Sequence, residues 1–260
     1  MDELLHTVLL GTVEGITEFL PISSTGHLLI AEHWLGRRSD LFNIAIQAGA
    51  ILAVVLIYRR RLRDLLYGFA RPDNRDYALK LCLSFLITAA GGFVAKQLGL
   101  KLPETVAPVA LALIAGGIAI LMIERRVSHR RPGEEVTWRV AVAVGLGQIL
   151  AAVFPGTSRS AATIFAAMLA GLSSRAAATE FAFLVGIPTM FAATGYELLK
   201  VLKAGAAGNE DWSALGIGFV VSAAVAFIAV KWLLLYIQTH RFTVFAWYRI
   251  AFGVALLLLV

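Results

Sequence analysis

Between Glu14 and His27 the chain reads Glu-Gly-Ile-Thr-Glu-Phe-Leu-Pro-Ile-Ser-Ser-Thr-Gly-His, placing two carboxylates, two serines, a threonine and an imidazole in sequence otherwise apolar enough for a membrane. Polar groups at that depth are costly and are kept for chemistry. Glu14 and Glu18 stand four apart, which on a helix puts both carboxylates on one face, a spacing that suits a shared cation or proton. Ser23 or Ser24 offers a hydroxyl, and Glu18 or His27 a group to take its proton, so the stretch could supply the nucleophile and base that a covalent group transfer needs. Serines at a helix start are more often caps, and it is the combination with the acids that carries weight. Pro21 breaks the first helix, and a second apolar run begins at Leu28.

A second copy lies 134 positions on: Gly145 to Ala161 overlays Gly11 to His27 without a gap. Glu14 falls on Gln148, Pro21 on Pro155, Ser23 on Thr157, Ser24 on Ser158 and Thr25 on Arg159. In Gly156-Thr157-Ser158-Arg159-Ser160 a loop ends where a helix begins, so free N–H groups and the positive end of the helix dipole suit an anion. Arg159 adds a planar donor fork matched to phosphate oxygens, and Ser23 to Gly26 repeat the arrangement from the other side. Paired glutamates one turn apart are too few for an all-protein cage, so a divalent cation would arrive with the substrate. Gln47, inside an apolar span, can bond either a neighbouring helix or the ligand.

These residues need a scaffold that brings two loop tips together inside a bilayer. The chain has 260 residues, 59% hydrophobic and only 15% charged, with mean hydropathy +0.79. Soluble domains are usually about 25% charged, so this is an integral membrane protein. The net charge of +6 is not a nucleic-acid signal, because the basic residues cluster between apolar runs. Cys82 is the single cysteine, excludes an intrachain disulfide and reads as a buried spectator. Met1-Asp2-Glu3 lacks a positive signal-peptide region, so the first helix is expected to stay in the mature protein.

In order, Leu4 to Phe19 and Gly26 to Leu35 read as a re-entrant hairpin, since the second is too short to cross about 30 Å of hydrocarbon. Ile44 to Tyr58, Leu79 to Val94 and Val106 to Ile123 follow as spans. Trp138 to Phe154 and Ser160 to Leu172 repeat the hairpin, and Phe181 to Leu199, Leu215 to Ile237 and Val244 to Val260 give three more spans. The expected fold is one all-α membrane domain made of two repeats, about 1–124 and 136–260. Three crossings between hairpins invert the second repeat, so the tips can meet near the midplane. Non-helical backbone is tolerated there when it is buried in protein or lines a wet cavity.

Loop charge sets the orientation. Fourteen Lys/Arg fall on the side reached after the first crossing, among them Arg59, Arg60, Arg61, Arg63, Arg130, Arg131 and Arg175, against six on the other, including Arg37, Arg38, Lys96 and Lys101. The first set is expected to be cytoplasmic and both termini external. Glu180 divides evenly between a helix-start acid and a site residue, Glu197 reads as external surface, and Lys231 and Arg249 read as snorkelling toward the cytoplasmic end.

The Glu14 to His27 motif, with Pro155-Gly-Thr-Ser-Arg-Ser-Ala-Ala-Thr163, closely resembles the two signature motifs of the undecaprenyl pyrophosphate phosphatase family, also called bacitracin resistance proteins. The likeness extends through Phe42 to Ile51 and Glu180-Phe-Ala-Phe. It implies removal of the terminal phosphate of undecaprenyl pyrophosphate at the outer face of the bacterial plasma membrane, which recycles the peptidoglycan carrier lipid, and it implies a Mg2+ or Ca2+ requirement and bacitracin resistance. It matches Glu14 and Glu18 to the acidic motif, Ser24 to the proposed nucleophile, His27 to the invariant histidine and Arg159 to the phosphate-binding arginine. Ala161 stands where the family often has Gly, and Asn43 where an acid is common.

Catalysis is thus expected of Ser24, Glu18, His27 and Arg159, and metal binding of Glu14 and Glu18. Contact with the substrate is expected of Ser23, Thr25, Gly26, Gly156, Thr157, Ser158, Ser160, Thr163 and Gln47. The partners are the lipid substrate and the bilayer, with no nucleic acid and with a homodimer as the candidate assembly. The same inverted scaffold also suits a transporter or flippase of an anionic lipid, but transport needs no nucleophile.

Overall fold

Long runs of Leu, Ile, Val and Ala, free of internal proline except at Pro108 and Pro188, leave the backbone one way to satisfy its hydrogen bonds in hydrocarbon, which is to form helices. A computed structural model describes residues 2–100, 105–128, 133–205 and 210–259, and among these it contains helices and no strand. Lys101, Arg130, Arg131 and Val260 lie outside the described residues.

The helices are α1 (Asp2–Thr17), α2 (Ser24–Leu35), α3 (Asp40–Ile57), α4 (Arg59–Tyr67), α5 (Pro72–Gln97), α6 (Val106–Val127), α7 (Trp138–Val153), α8 (Arg159–Leu169), α9 (Arg175–Lys203), α10 (Trp212–Thr239) and α11 (Thr243–Leu259). α3, α5, α6, α9 and α10 are long and apolar enough to cross a membrane. α11, expected as a sixth span, has 17 residues, the short end of the spanning range. The short helices α2, with 12 residues, and α8, with 11, each follow an apolar helix that ends close to a proline.

One helix was not anticipated. α4 occupies the basic connection after α3; Leu65 packs inward while Leu66 and Tyr67 stand exposed beside Arg60 and Arg63. Arginines interleaved with leucines make an amphipathic helix, whose short apolar face is masked in the sequence by charge.

The helices approach closely where small residues allow it, as expected when lipid tails already solvate apolar side chains. A Cβ at Gly49 of α3 would lie 2.3 Å from the Phe219 carbonyl of α10, and one at Gly117 of α6 2.7 Å from that of Ala246 on α11. Interhelical hydroxyls reinforce the contacts: Ser222 Oγ donates to the Ile46 carbonyl at 2.8 Å and Ser84 Oγ to that of Ala141 at 2.6 Å. The outside is apolar instead of polar, with Leu86, Phe93, Leu111, Met122, Ile228 and Leu235 each more than half exposed. Cys82 belongs to this outer surface of α5 and is exposed, contrary to the expectation of burial. An apolar run does not say which of its faces meets lipid.

At the ends of the bundle, charges pair. Glu124 is buried and holds Arg175 through two bonds, at 2.8 and 2.5 Å, while accepting the Phe242 N–H at 3.0 Å. Glu180 sits 3.4 Å from Arg61 of α4, which assigns it to the helix end and not to the site.

Candidate active site

Both hairpin tips are built alike. α1 ends at Thr17, four residues ahead of Pro21, and α7 ends at Val153, just before Pro155. Each chain then turns through a serine at positive φ, Ser23 at 75° and Ser158 at 69°, the only non-glycine residues in that region among those described. Such backbone is strained and is held only where its surroundings dictate it. Each serine caps the helix that follows, Ser23 Oγ accepting from the Gly26 N–H at 3.4 Å and Ser158 Oγ from the Ala161 N–H at 3.3 Å.

This geometry corrects the gapless overlay. By cap position Ser23 matches Ser158, not Thr157, so Ser24 and Arg159 are equivalent as the first residues of α2 and α8. The second loop holds one more residue between its proline and its cap. Gly156 takes φ +87°, and a Cβ there would lie 2.6 Å from the Val109 carbonyl of α6, so the extra residue has to be glycine.

Ser24 and Arg159 face one cavity of about 190 Å³, together with Glu18, Thr25, Gln47, Gly156 and Ser158. Ser24 Oγ donates to Glu18 Oε2 at 2.5 Å. Both residues are almost fully buried, so a base stands within hydrogen-bond reach of a hydroxyl in a setting poor in water. No ion pair holds Arg159 among the described residues, which leaves its fork to the cavity. Glu14 lies one turn behind Glu18, wholly buried, and neither of its side-chain oxygens has a partner.

Other expected residues serve around the cavity instead of lining it. Gly26 packs against Val109 and Leu113, and the Ser160 hydroxyl donates to the Leu20 carbonyl at 3.0 Å, tying the two tips together. Thr163 Oγ1 donates back to the Arg159 carbonyl at 2.8 Å. Thr157 faces the opposite side of its loop and offers its carbonyl to Arg249. His27 is turned toward α11: Nδ1 lies 2.7 Å from the Ser23 carbonyl, Nε2 2.7 Å from the Tyr248 hydroxyl, and its ring stacks on Phe252 with centroids 4.3 Å apart.

The sequence reading missed several contributors. Thr88 of α5, Gln148 of α7 and Thr189 of α9 complete the cavity wall. The overlay of Gln148 on Glu14 was the available signal for the second of these.

Arg249 is the larger correction. It does not snorkel; it is 0% exposed, and its guanidinium donates to the carbonyls of Thr157 at 2.9 Å, Gly156 at 3.1 Å, Ala112 at 3.2 Å, and Pro21 and Leu113 at 3.4 Å. Gly116 makes room for it, since a Cβ there would lie 2.1 Å from Nη2. Two loops of unpaired carbonyls outweigh the distance to water, because each carbonyl buried without a donor costs about 1–3 kcal/mol. Replacing Arg249 with Met is therefore expected to destabilise the fold by roughly 3 kcal/mol or more, read as a lowered thermal midpoint in detergent.

Comparison with known proteins fits this arrangement. Residues 7–255 match the model of the family described as bacitracin resistance protein BacA. A Rhizobium etli (strain CIAT 652) protein named undecaprenyl-diphosphatase is 65% identical over 253 residues, covering 97% of this chain and 96% of its own. Proteins of the same name from Stenotrophomonas maltophilia (strain K279a) and Xanthomonas oryzae pv. oryzae (strain PXO99A) are 60% and 58% identical over 258 residues, each covering 99% of this chain and 98% and 97% of their own.

Proposed function

Because this chain belongs to the bacitracin resistance protein BacA family, we propose that it is an undecaprenyl-diphosphatase, a membrane enzyme that hydrolyses undecaprenyl pyrophosphate to undecaprenyl phosphate and inorganic phosphate. The observation that carries the chemistry is the Ser24 hydroxyl bonded to Glu18 in a cavity that also holds Arg159.

Glu18 takes the proton as Ser24 Oγ attacks the terminal phosphorus. The anhydride bond breaks, and the lipid monophosphate departs as an anion that needs no proton. Arg159 and the free amides at the starts of α2 and α8 bear the charge on the transferring group. Both ring nitrogens of His27 are committed to Ser23 and Tyr248, which favours Ser24 as nucleophile and gives His27 the task of holding the strained cap. The His27→Ala variant is expected to form phosphoenzyme still, with turnover lowered about tenfold to a hundredfold. Acid-quenched labelling from lipid pyrophosphate checks this, and loss of all label would move the nucleophile to His27.

Glu14 and Glu18 fit a divalent cation, Mg2+ or Ca2+, because both Glu14 oxygens lack partners and a hard ion takes oxygen ligands. No third acidic, His or Cys side chain joins them among the described residues, so phosphate oxygens and water would complete the shell. When bound, the ion would neutralise charge on the phosphates. Chelation is expected to abolish phosphate release, and added Mg2+ or Ca2+ to restore it.

The proposed setting is the plasma membrane, with the site opening outward between two inverted repeats. In support, a neighbouring cavity of about 360 Å³ shares Thr25 and Gln47 with the active site and is bordered by Arg37 and Asp40, residues of the less basic side. The arginine-rich α4 and the Arg61–Glu180 pair lie at the end that loop charge makes cytoplasmic.

A further inference from the structure

Beside the active-site cavity lies a recess of about 20 Å³ that shares Glu18, Gln148 and Arg159 with it and is bounded also by Ser160 and Thr163. A space that size, walled by several polar groups, suits one water, which needs roughly 10–15 Å³ and two to four partners. Ser24 borders the cavity but not the recess. Gln148 stands between the two spaces, 2% exposed, and neither its Oε1 nor its Nε2 has a partner. A buried amide left unpaired is costly, so it is held ready for a group that comes and goes. An amide also suits water, since its carbonyl accepts one O–H while its NH2 donates to a phosphate oxygen.

We propose that Gln148 is a catalytic residue of the second half-reaction, holding in this recess the water that hydrolyses phosphorylated Ser24. The inference rests on Ser24 being the nucleophile. In-line displacement requires the water to approach phosphorus opposite Oγ, and we place it in this recess, which Ser24 does not line while Arg159 lines both spaces. Water oxygen bonds to phosphorus as the bond to Ser24 Oγ breaks. Glu18 returns to Oγ the proton it took in the first step, and both water protons leave on inorganic phosphate. Gln148 moves no proton; it aims the water.

The test is rapid-quench kinetics on the detergent-purified full chain with undecaprenyl pyrophosphate labelled in its terminal phosphate, for Gln148→Ala and the nearly isosteric Gln148→Met. First-turnover formation of lipid monophosphate is expected to stay within about threefold of the unsubstituted protein, while phosphate release slows about 100-fold and label accumulates on Ser24. The burst amplitude counts competent sites, so a misfolded fraction lowers amplitude without altering the two rates. Equal slowing of both products with no retained label overturns the role of Gln148. Turnover with no phosphoenzyme in any active form, the unsubstituted protein included, overturns Ser24 as nucleophile and the assignment of the water with it.

Discussion

Ser24→Ala is expected to lower phosphate release from undecaprenyl pyrophosphate by roughly 10⁴-fold or more, since a missing nucleophile cannot be replaced by its neighbours. The loss should be kinetic and not structural. Ser23, not Ser24, caps α2, so the helix keeps its start, and only the donor to Glu18 disappears. That single bond, made to a buried carboxylate, is worth about 1.5–3 kcal/mol of stability. Phosphate release by protein shown to be folded by its thermal midpoint in detergent is the measurement. Full activity in the variant would remove Ser24 from the mechanism and leave the Glu18 contact as simple packing.

Arg159→Ala should cost roughly 10³–10⁵-fold in kcat, the range that an arginine stabilising a transferring phosphoryl group supplies. No carboxylate pairs with Arg159 within 4 Å among the described residues, but Arg159 is a positive charge acting on buried Glu14, so kcat is to be read on variant protein shown to be folded by its thermal midpoint. Arg159→Lys keeps the charge but not the fork, and should recover only part of the lost rate. An Arg159→Ala variant with unchanged kcat would mean that the amides at the two helix starts suffice by themselves. The two arginines of the site thus separate by readout. Arg159 faces the cavity and is expected to govern rate, whereas Arg249 faces backbone carbonyls and is expected to govern stability.

The local features were legible because they follow from residue type and spacing. Pro21 and Pro155 stop their helices, and serines restart them, since proline lacks a donor and a serine oxygen can accept an orphan amide. Five of the six spans meet the length and hydropathy of a membrane crossing, and the sixth, α11, lies at the short end of the spanning range. α4 escaped notice because arginines hide a short apolar stripe.

The one-residue offset between the repeats could not be read from the overlay, since positive φ at Ser23 and Ser158 is imposed by packing and has no signature in a serine. Gln148 was visible only as the partner of Glu14 in the duplicated motif. Its unpaired amide and the recess beside it arise from α7, α8 and α9 meeting at one point.

By itself the sequence determined that this is a helical membrane protein with a duplicated polar loop, and that one copy brings carboxylates and hydroxyls and the other a guanidinium, because composition and local periodicity suffice for those statements. Tertiary structure alone decided that Ser24 and Arg159 share a cavity, that His27 turns from it to α11, and that Arg249 is a fully buried clamp across both tips. The physical reason is range: a helix stop or cap is settled within a few residues, but a guanidinium 228 positions from Pro21 reveals its purpose only when folding brings the unpaired carbonyls to it.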